Sequence, residues 1–74
     1  MMEIPVLEII DDGLVVELMD RSRWLINPGD WSITIRWLPG QRIQIKEGDG
    51  SYTLTNLDTA QPISVPATKP IAIL

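Results

Sequence analysis

Hydrophobic and polar residues alternate most regularly between positions 31 and 46. The alternation breaks at Pro39-Gly40 and then resumes, which divides it into two stretches. Its apolar members are Trp31, Ile33, Ile35 and Trp37 before the break, and Ile43 and Ile45 after it. Because successive side chains on a strand point to opposite faces, the pattern predicts a β-hairpin of two half-buried strands.

The length of the loop determines which residues pair across this predicted hairpin. A three-residue loop at 39–41 places Trp37 opposite Ile43 and Ile35 opposite Ile45, so the apolar residues share one face. A two-residue loop would mix apolar and charged residues on both faces. The sequence therefore favours the three-residue loop.

The same argument predicts two further turns. A four-residue loop at 47–50 places Ile43 opposite Leu54 on the following strand. Another four-residue loop, at 58–61, then brings Leu54 near Val65. The apolar residues of these strands would form one continuous core face.

Shorter strands are predicted before the hairpin, and helical periodicity is poor throughout because Pro and Gly interrupt the chain. These earlier strands cover residues 6–10, 14–19 and 23–26. The sequences Asp11-Asp12-Gly13, Asp20-Arg21-Ser22 and Asn27-Pro28-Gly29-Asp30 separate them as turns. Pro66 and Pro70 exclude residues 67–74 from the middle of a sheet, so this segment is expected to be a tail or an edge strand.

The predicted fold is all-β. Five or six strands form a meander that closes into a small SH3-like barrel, because a sheet this small must curl to cover its own apolar face. A five-stranded OB-like barrel is the second choice. The chain is treated as one domain over residues 1–74, with a core at about 5–66.

Composition narrows the chemistry. The 74 residues include no Cys and no His, so disulfides, thiolate metal sites and imidazole catalysis are excluded. Acidic residues at turns, such as Asp11 and Asp12, are interpreted as turn formers. The stretch 47–51 resembles a calcium loop only faintly, because Tyr52 stands where such a loop needs Gly. We therefore expect no enzyme activity, no cofactor and no metal.

Charge is distributed unevenly along the chain. Net charge is −4, yet residues 1–20 hold six acids and no base, whereas residues 21–46 hold five bases and one acid. An acidic chain argues against general nucleic-acid binding, although the middle segment leaves room for a local basic patch. No apolar run is long enough to span a bilayer and no secretory signal is visible, so we expect a cytoplasmic protein without a membrane partner.

The candidate binding surface is the outer face of the predicted hairpin. Arg36 would lie opposite Gln44, and Arg42 and Lys46 would share that face, where they could receive an acidic partner or phosphates. Trp31, at a strand end, is added to this surface because it is expected to be partly exposed. Trp24 and Trp37 are expected in the core.

Several motifs resemble those of a family of small, functionally uncharacterised bacterial all-β domains, over about residues 14–65. The matching residues are Val15-Val16-Glu17-Leu18, Asp20-x-Ser22, Trp24, Pro28-Gly29-Asp30, Trp37, Pro39-Gly40 and Tyr52-Thr53-Leu54-Thr55-Asn56. Arg21 departs from the pattern, which has Gly there. The resemblance implies a self-contained small barrel, and it supplies no activity.

The function expected from these observations is a non-catalytic protein-interaction or assembly module. One alternative is a small homo-oligomer that buries the apolar residues 71–74 and Trp31. Another is a weak nucleic-acid-binding barrel that uses the local basic face with Trp31.

Overall fold

Six antiparallel strands form most of the regular secondary structure of the computed structural model, in which residues 2–59 and 62–68 are described. The strands are β1 (Met2–Ile10), β2 (Val15–Leu18), β3 (Arg23–Ile26), β4 (Arg42–Gly48), β5 (Ser51–Asn56) and β6 (Ile63–Thr68). They close into a barrel in the order β1-β2-β3-β6-β5-β4. The predicted all-β fold, with six strands closing into a small barrel, is confirmed.

The barrel consists of two three-stranded meanders rather than one continuous meander. Strands β1 to β3 form the first half and β4 to β6 form the second. Two seams join the halves: β1 pairs with β4, where Ile4 lies opposite Ile43, and β3 pairs with β6, where Ile26 lies opposite Ala67. The segment 27–41 connects the two halves at one end of the barrel.

This connecting segment is helical, so the predicted strand at 31–37 is wrong. A 3-10 turn at Pro28–Asp30 leads into a single turn of α-helix, α1 (Trp31–Thr34). Thr34 is fully buried and its hydroxyl donates a hydrogen bond to the Gly13 carbonyl at 2.7 Å. Ile35 is 45% exposed, so it cannot belong to the predicted core face.

The partners of β4 consequently differ from the predicted ones. Trp37 does not pair with Ile43, nor Ile35 with Ile45, because residues 35–41 form no strand. Strand β4 lies instead between β1 and β5. Its inward-facing residues still contribute to the core, so the apolar pattern of this strand was interpreted correctly.

The β4–β5 connection is a two-residue turn, Asp49-Gly50, and the four-residue loop predicted at 47–50 is wrong. Both turn residues have positive φ, +47° and +79°, as a type I′ hairpin turn requires. Ile43 therefore pairs with Asn56 rather than Leu54. The slip is two residues, which keeps Leu54 inside and opposite Val65, as predicted.

The core fills the inside of the barrel with side chains from every strand. Its buried apolar members are Val6, Val16, Leu18, Trp24, Ile26, Trp37, Ile43, Ile45, Leu54, Val65 and Ala67. The predictions that Trp24 and Trp37 belong to the core are confirmed. Trp31 is half-buried against this cluster.

Strand β6 extends two residues beyond the core boundary expected at about residue 66. Pro66 lies inside β6 opposite Thr53, and the strand continues to Thr68. Pairing of β6 with β3 ends at Ile26, which lies opposite Ala67, so β3 has no residue paired with Pro66. This position therefore tolerates the missing amide hydrogen of proline. The rest of the predicted tail, residues 69–74, lies outside the described residues.

Candidate functional site

The basic surface predicted from the sequence is not assembled as expected. Arg42, Gln44 and Lys46 alternate along β4 and share one side of that strand. Arg36 is exposed in the turn that follows α1, and the hairpin that would have placed it beside Gln44 does not form. The predicted group of cations is therefore divided between a strand and a connecting segment.

Arg42 is also paired with acids. Its guanidinium donates to the Asp58 carboxylate, with an Nη2–Oδ1 distance of 2.8 Å, and its backbone nitrogen donates to Oδ2 of the same residue at 2.8 Å. Glu3 lies 4.0 Å away on the neighbouring strand. The side-chain hydrogen bond from Arg42 lowers the pKa of Asp58, and the same bond raises the pKa of Arg42. Much of the positive charge of Arg42 is thus compensated.

Trp31 has a structural role in the connecting segment. Its indole Nε1 donates a hydrogen bond to the Ile26 carbonyl at 2.8 Å, and its ring packs partly against the core. This contact anchors α1 to the end of β3. Trp31 therefore does not present a free aromatic platform.

A concave surface lies at the opposite end of the barrel from α1, where both the β2–β3 turn and the β4–β5 hairpin are found. We call this surface the mouth. It is an open concavity with a volume of about 500 Å³, and it is lined by Met2, Asp20, Ser22, Trp24, Ile45, Lys46, Glu47 and Tyr52. Lys46 is the one residue of the predicted surface that contributes to it.

A chain of hydrogen bonds holds one wall of the mouth. Trp24 Nε1 donates to Ser22 Oγ at 2.9 Å, and Ser22 Oγ donates to Asp20 Oδ1 at 2.5 Å. The Ser22 backbone nitrogen donates to the same carboxylate oxygen at 3.0 Å. The Asp-x-Ser-x-Trp sequence, which was interpreted as a turn followed by a core residue, therefore also builds this wall.

Aromatic rings join this wall to the β4–β5 hairpin. The rings of Trp24 and Tyr52 meet edge to face, with their centroids 5.0 Å apart and their planes at 70°. Tyr52 lies directly opposite Glu47 in the β4–β5 ladder. The negative charge of Glu47, followed by its hydrogen bond with the phenol, raises the pKa of Tyr52.

The charges of the mouth are arranged by strand alternation. Ile45 is buried in the core, so Glu47 faces the same side of β4, whereas Lys46 faces the outside. Asp20 adds a second carboxylate from the β2–β3 turn. Among the described lining residues, the carboxylates of Asp20 and Glu47 therefore lie on the inner wall, and the one cation, Lys46, lies on the outer rim.

The sequence did not identify the mouth because its residues come from four separate stretches of chain. Only barrel closure brings the turn at 20–22 to the hairpin at 45–52. One signal was nevertheless present, in the motifs of the predicted resemblance. Asp20, Ser22, Trp24 and Tyr52 all belong to the motifs that carry the family resemblance, and all four line the mouth.

Two further features, a cluster of metal ligands and a membrane-spanning helix, are absent from the described residues. Over residues 2–59 and 62–68, no group of three or more acidic side chains is placed to hold a metal ion. In the same ranges, no helix has the length and apolar character required to cross a bilayer.

Comparisons with known proteins give no relative. No family model matches this chain. No significant match is found among curated proteins or among solved structures. The family resemblance described above therefore stays a prediction.

Proposed function

We propose that this chain is a non-catalytic protein-interaction module that binds a segment of its partner at the mouth. The observation that carries the proposal is a concave surface that combines an aromatic edge-to-face pair with exposed apolar and acidic side chains. Its volume, about 500 Å³, lies in the range of pockets that hold small ligands or a few side chains.

The titratable groups of the mouth support binding rather than catalysis. The sequence contains neither His nor Cys, the side chains that most often serve as base or nucleophile near neutral pH. Glu47 raises the pKa of the Tyr52 phenol, so this hydroxyl stays protonated at neutral pH and is a poor nucleophile. No activated nucleophile is seen among the described lining residues.

The structure gives less support to binding through the basic face. Nucleic-acid affinity depends on cations that neutralise phosphates. Arg42 already bonds Asp58 and lies near Glu3, and Arg36 lies on a different segment of the chain. We therefore propose the mouth, not the basic face, as the binding surface. Self-association through residues 71–74 concerns a segment outside the described residues.

Site-specific photocross-linking in the source cells would test this function. A photoreactive amino acid at position 46, on the rim of the mouth, is compared with one at position 8, which is exposed on β1. We expect discrete adducts with another protein from position 46 only. We also expect the Met2→Ser substitution, which removes an exposed apolar side chain from the mouth, to abolish them.

Two results would contradict the proposal. The first is the same set of adducts from positions 46 and 8, since this would mean that cross-linking follows exposure alone. The second is a set of adducts from position 46 that Met2→Ser leaves unchanged. Adducts with a second copy of this chain would replace the proposed function by self-association at the mouth.

A further inference from the structure

Building on the proposed function, we infer that the mouth recognises a partner segment in which a Lys or Arg side chain stands next to an apolar residue. The inference comes from the juxtaposition of Asp20 and Glu47 with Met2, Ile45 and the Trp24–Tyr52 pair in one concavity. The Lys or Arg side chain of the partner lies against the acidic inner wall of the mouth, and the neighbouring apolar side chain covers Met2.

The positive charge expected on the partner segment follows from the direction of the side chains on β4. Glu47 shares its side of the strand with buried Ile45, and Asp20 faces the same concavity from the β2–β3 turn. Lys46 points the other way, so its charge lies on the rim. A cation inside the mouth is therefore attracted by the Glu47 carboxylate, whereas an anion there would be repelled by it.

The apolar surface suits the long stem of a basic side chain. Lys and Arg bury their methylene groups along apolar surfaces while they keep the charged end near polar groups. Tyr52 is half-buried and offers an aromatic surface for such a stem. An aromatic ring also attracts a nearby cation through its negative face.

Exposed apolar area provides the second contact. Met2 is 55% exposed, although it belongs to β1 and pairs with Ile45 in the core layer. An unbranched thioether side chain adapts to apolar surfaces of different shapes. A residue such as Leu beside the basic one would remove Met2 from water, which makes the paired chemistry of the ligand more favourable than either part alone.

The walls of the mouth are already held in place before binding. The hydrogen bonds from Trp24 to Ser22 and from Ser22 to Asp20 fix the position of one carboxylate. The β4–β5 ladder holds Glu47 opposite Tyr52. A preorganised surface loses less conformational entropy on binding, so a short peptide is enough to detect recognition.

Fluorescence anisotropy with two matched peptides tests the inference on the full chain. The probe is a labelled, terminally blocked Ala-Leu-Arg-Leu-Ala, and its partner carries citrulline, a neutral analogue of arginine. We expect the arginine peptide to bind about fivefold more tightly, the size of effect given by a partly exposed ion pair. Added salt should reduce this difference, because it screens exposed charges.

Two variants with the same change in net charge locate the effect. Glu47→Gln should remove most of the advantage of the arginine peptide, because the other carboxylate, Asp20, already accepts hydrogen bonds from Ser22. Asp49→Asn removes a carboxylate from the tip of the same hairpin, and Asn accepts the positive φ of +47° at that position. We expect Asp49→Asn to keep the full advantage. Equal losses in the two variants would overturn the assignment to the mouth.

Other outcomes separate this inference from the proposed function. Equal binding of the two peptides, reduced by Met2→Ser, would overturn the selection of a cation and leave the binding function in place. Binding of neither peptide would also overturn the inference, and the cross-linking experiment would still decide the function. Preference for an otherwise identical glutamate peptide would reverse the predicted sign.

Discussion

Gly13 must be glycine for two separate reasons. Its φ of +99° is a conformation that other residues rarely adopt. A Cβ atom built there would also lie 2.7 Å from the Trp31 carbonyl oxygen and 2.9 Å from Thr34 Oγ1. The close contact between the β1–β2 turn and α1 therefore depends on this one residue.

We expect Gly13→Ala to lower the free energy of unfolding by about 3 kcal/mol, from backbone strain and steric overlap together. Gly40→Ala is the matched control, because Gly40 has φ of +89° but no atom within 4 Å of the added Cβ. We expect a loss of about 1 kcal/mol there. Urea denaturation measures both, and equal losses would show that packing against α1 contributes nothing.

Arg21, in contrast to Gly13, is a non-glycine residue at a position whose backbone conformation favours glycine. Its φ is +73° in the β2–β3 turn. The Arg21 side chain is 79% exposed and its Nη1 lies 4.0 Å from the buried Glu17 carboxylate, which Arg23 approaches more closely, at 3.6 Å, so the Arg21 contact contributes little. This is the position at which the sequence departs from the Gly of the family pattern.

We therefore expect Arg21→Gly to raise the free energy of unfolding by about 0.5–1 kcal/mol, because glycine relieves the strain of the left-handed conformation. Arg21→Ala removes the same guanidinium but keeps the strain, so it should give no such gain. Thermal denaturation followed by circular dichroism distinguishes the two. A gain of the same size in both variants would attribute the effect to charge instead.

The connecting segment shows why one element could not be predicted from alternation. Apolar residues at 31, 33, 35 and 37 fit a strand, but the fully buried positions are Thr34 and Trp37, while Trp31 and Ile33 are half-buried and Ile35 is exposed. This spacing of three is helical, and it was hidden because its central member is the polar Thr34. The burial of that residue depends on the carbonyl of distant Gly13.

The β4–β5 turn, in contrast, was readable. Asp-Gly is a strong signal for a two-residue type I′ turn, and the structure has that turn at Asp49-Gly50. Matching apolar faces alone allowed a slip of two residues, since such a slip keeps every side chain on its side of the sheet. Local turn chemistry would have selected the correct register.

Asp58 joins β4 to the connection between β5 and β6, and this link should depend on pH. The hydrogen bond from Arg42 lowers the pKa of Asp58 in the folded state, so the ionised carboxylate stabilises the fold. The contribution is complete above the unfolded pKa of about 3.9 and is lost as pH falls through the lower, folded value.

We expect Asp58→Asn to be less stable than the original chain at pH 7. At low pH, where Asp58 is protonated in the original chain, the stabilities of the two proteins should become similar. The measurement is the urea midpoint between neutral pH and pH 2. Asp49→Asn serves as a control with the same change in net charge. The difference in urea midpoint between Asp49→Asn and the original chain should not decrease as the pH falls. If the urea midpoints of Asp58→Asn and of the original chain differ by the same amount at every pH, the hydrogen bond between Arg42 and Asp58 does not cause the pH dependence.

The barrel as a whole depends on a small number of core side chains. A domain of this length has a total stability of about 4–11 kcal/mol. Leu54 is fully buried between Ile45 and Val65 on the neighbouring strands. Losing one such side chain therefore removes a large part of the total free energy of unfolding.

We expect Leu54→Ala to lower the free energy of unfolding by about 3 kcal/mol, through lost apolar burial and the cavity left behind. Leu38→Ala is the control, because Leu38 is 61% exposed and should change stability by less than about 0.5 kcal/mol. Urea denaturation at neutral pH compares them. Similar losses would mean that the burial of Leu54 between Ile45 and Val65 does not stabilise the fold.

Fold class was predictable from the sequence, whereas the candidate site was not. Short alternating strands and frequent turn residues such as Pro39 and Gly50 were enough to predict a small closed barrel. The mouth places Asp20 and Glu47 on one concave surface, and no local pattern encodes that placement. Of the residues predicted as a binding surface, Lys46 alone lines the mouth.

The two seams that close the barrel also have a consequence for how the chain folds. Each half can form from neighbouring strands, but the seams join residues as distant in sequence as Met2 and Ile45, or Ile26 and Ala67. Such pairings give a high contact order, and loop-closure entropy is lost before they contribute. Folding should therefore be slow for so short a chain. Its rate should be limited by the pairing of the two halves along the β1–β4 and β3–β6 seams.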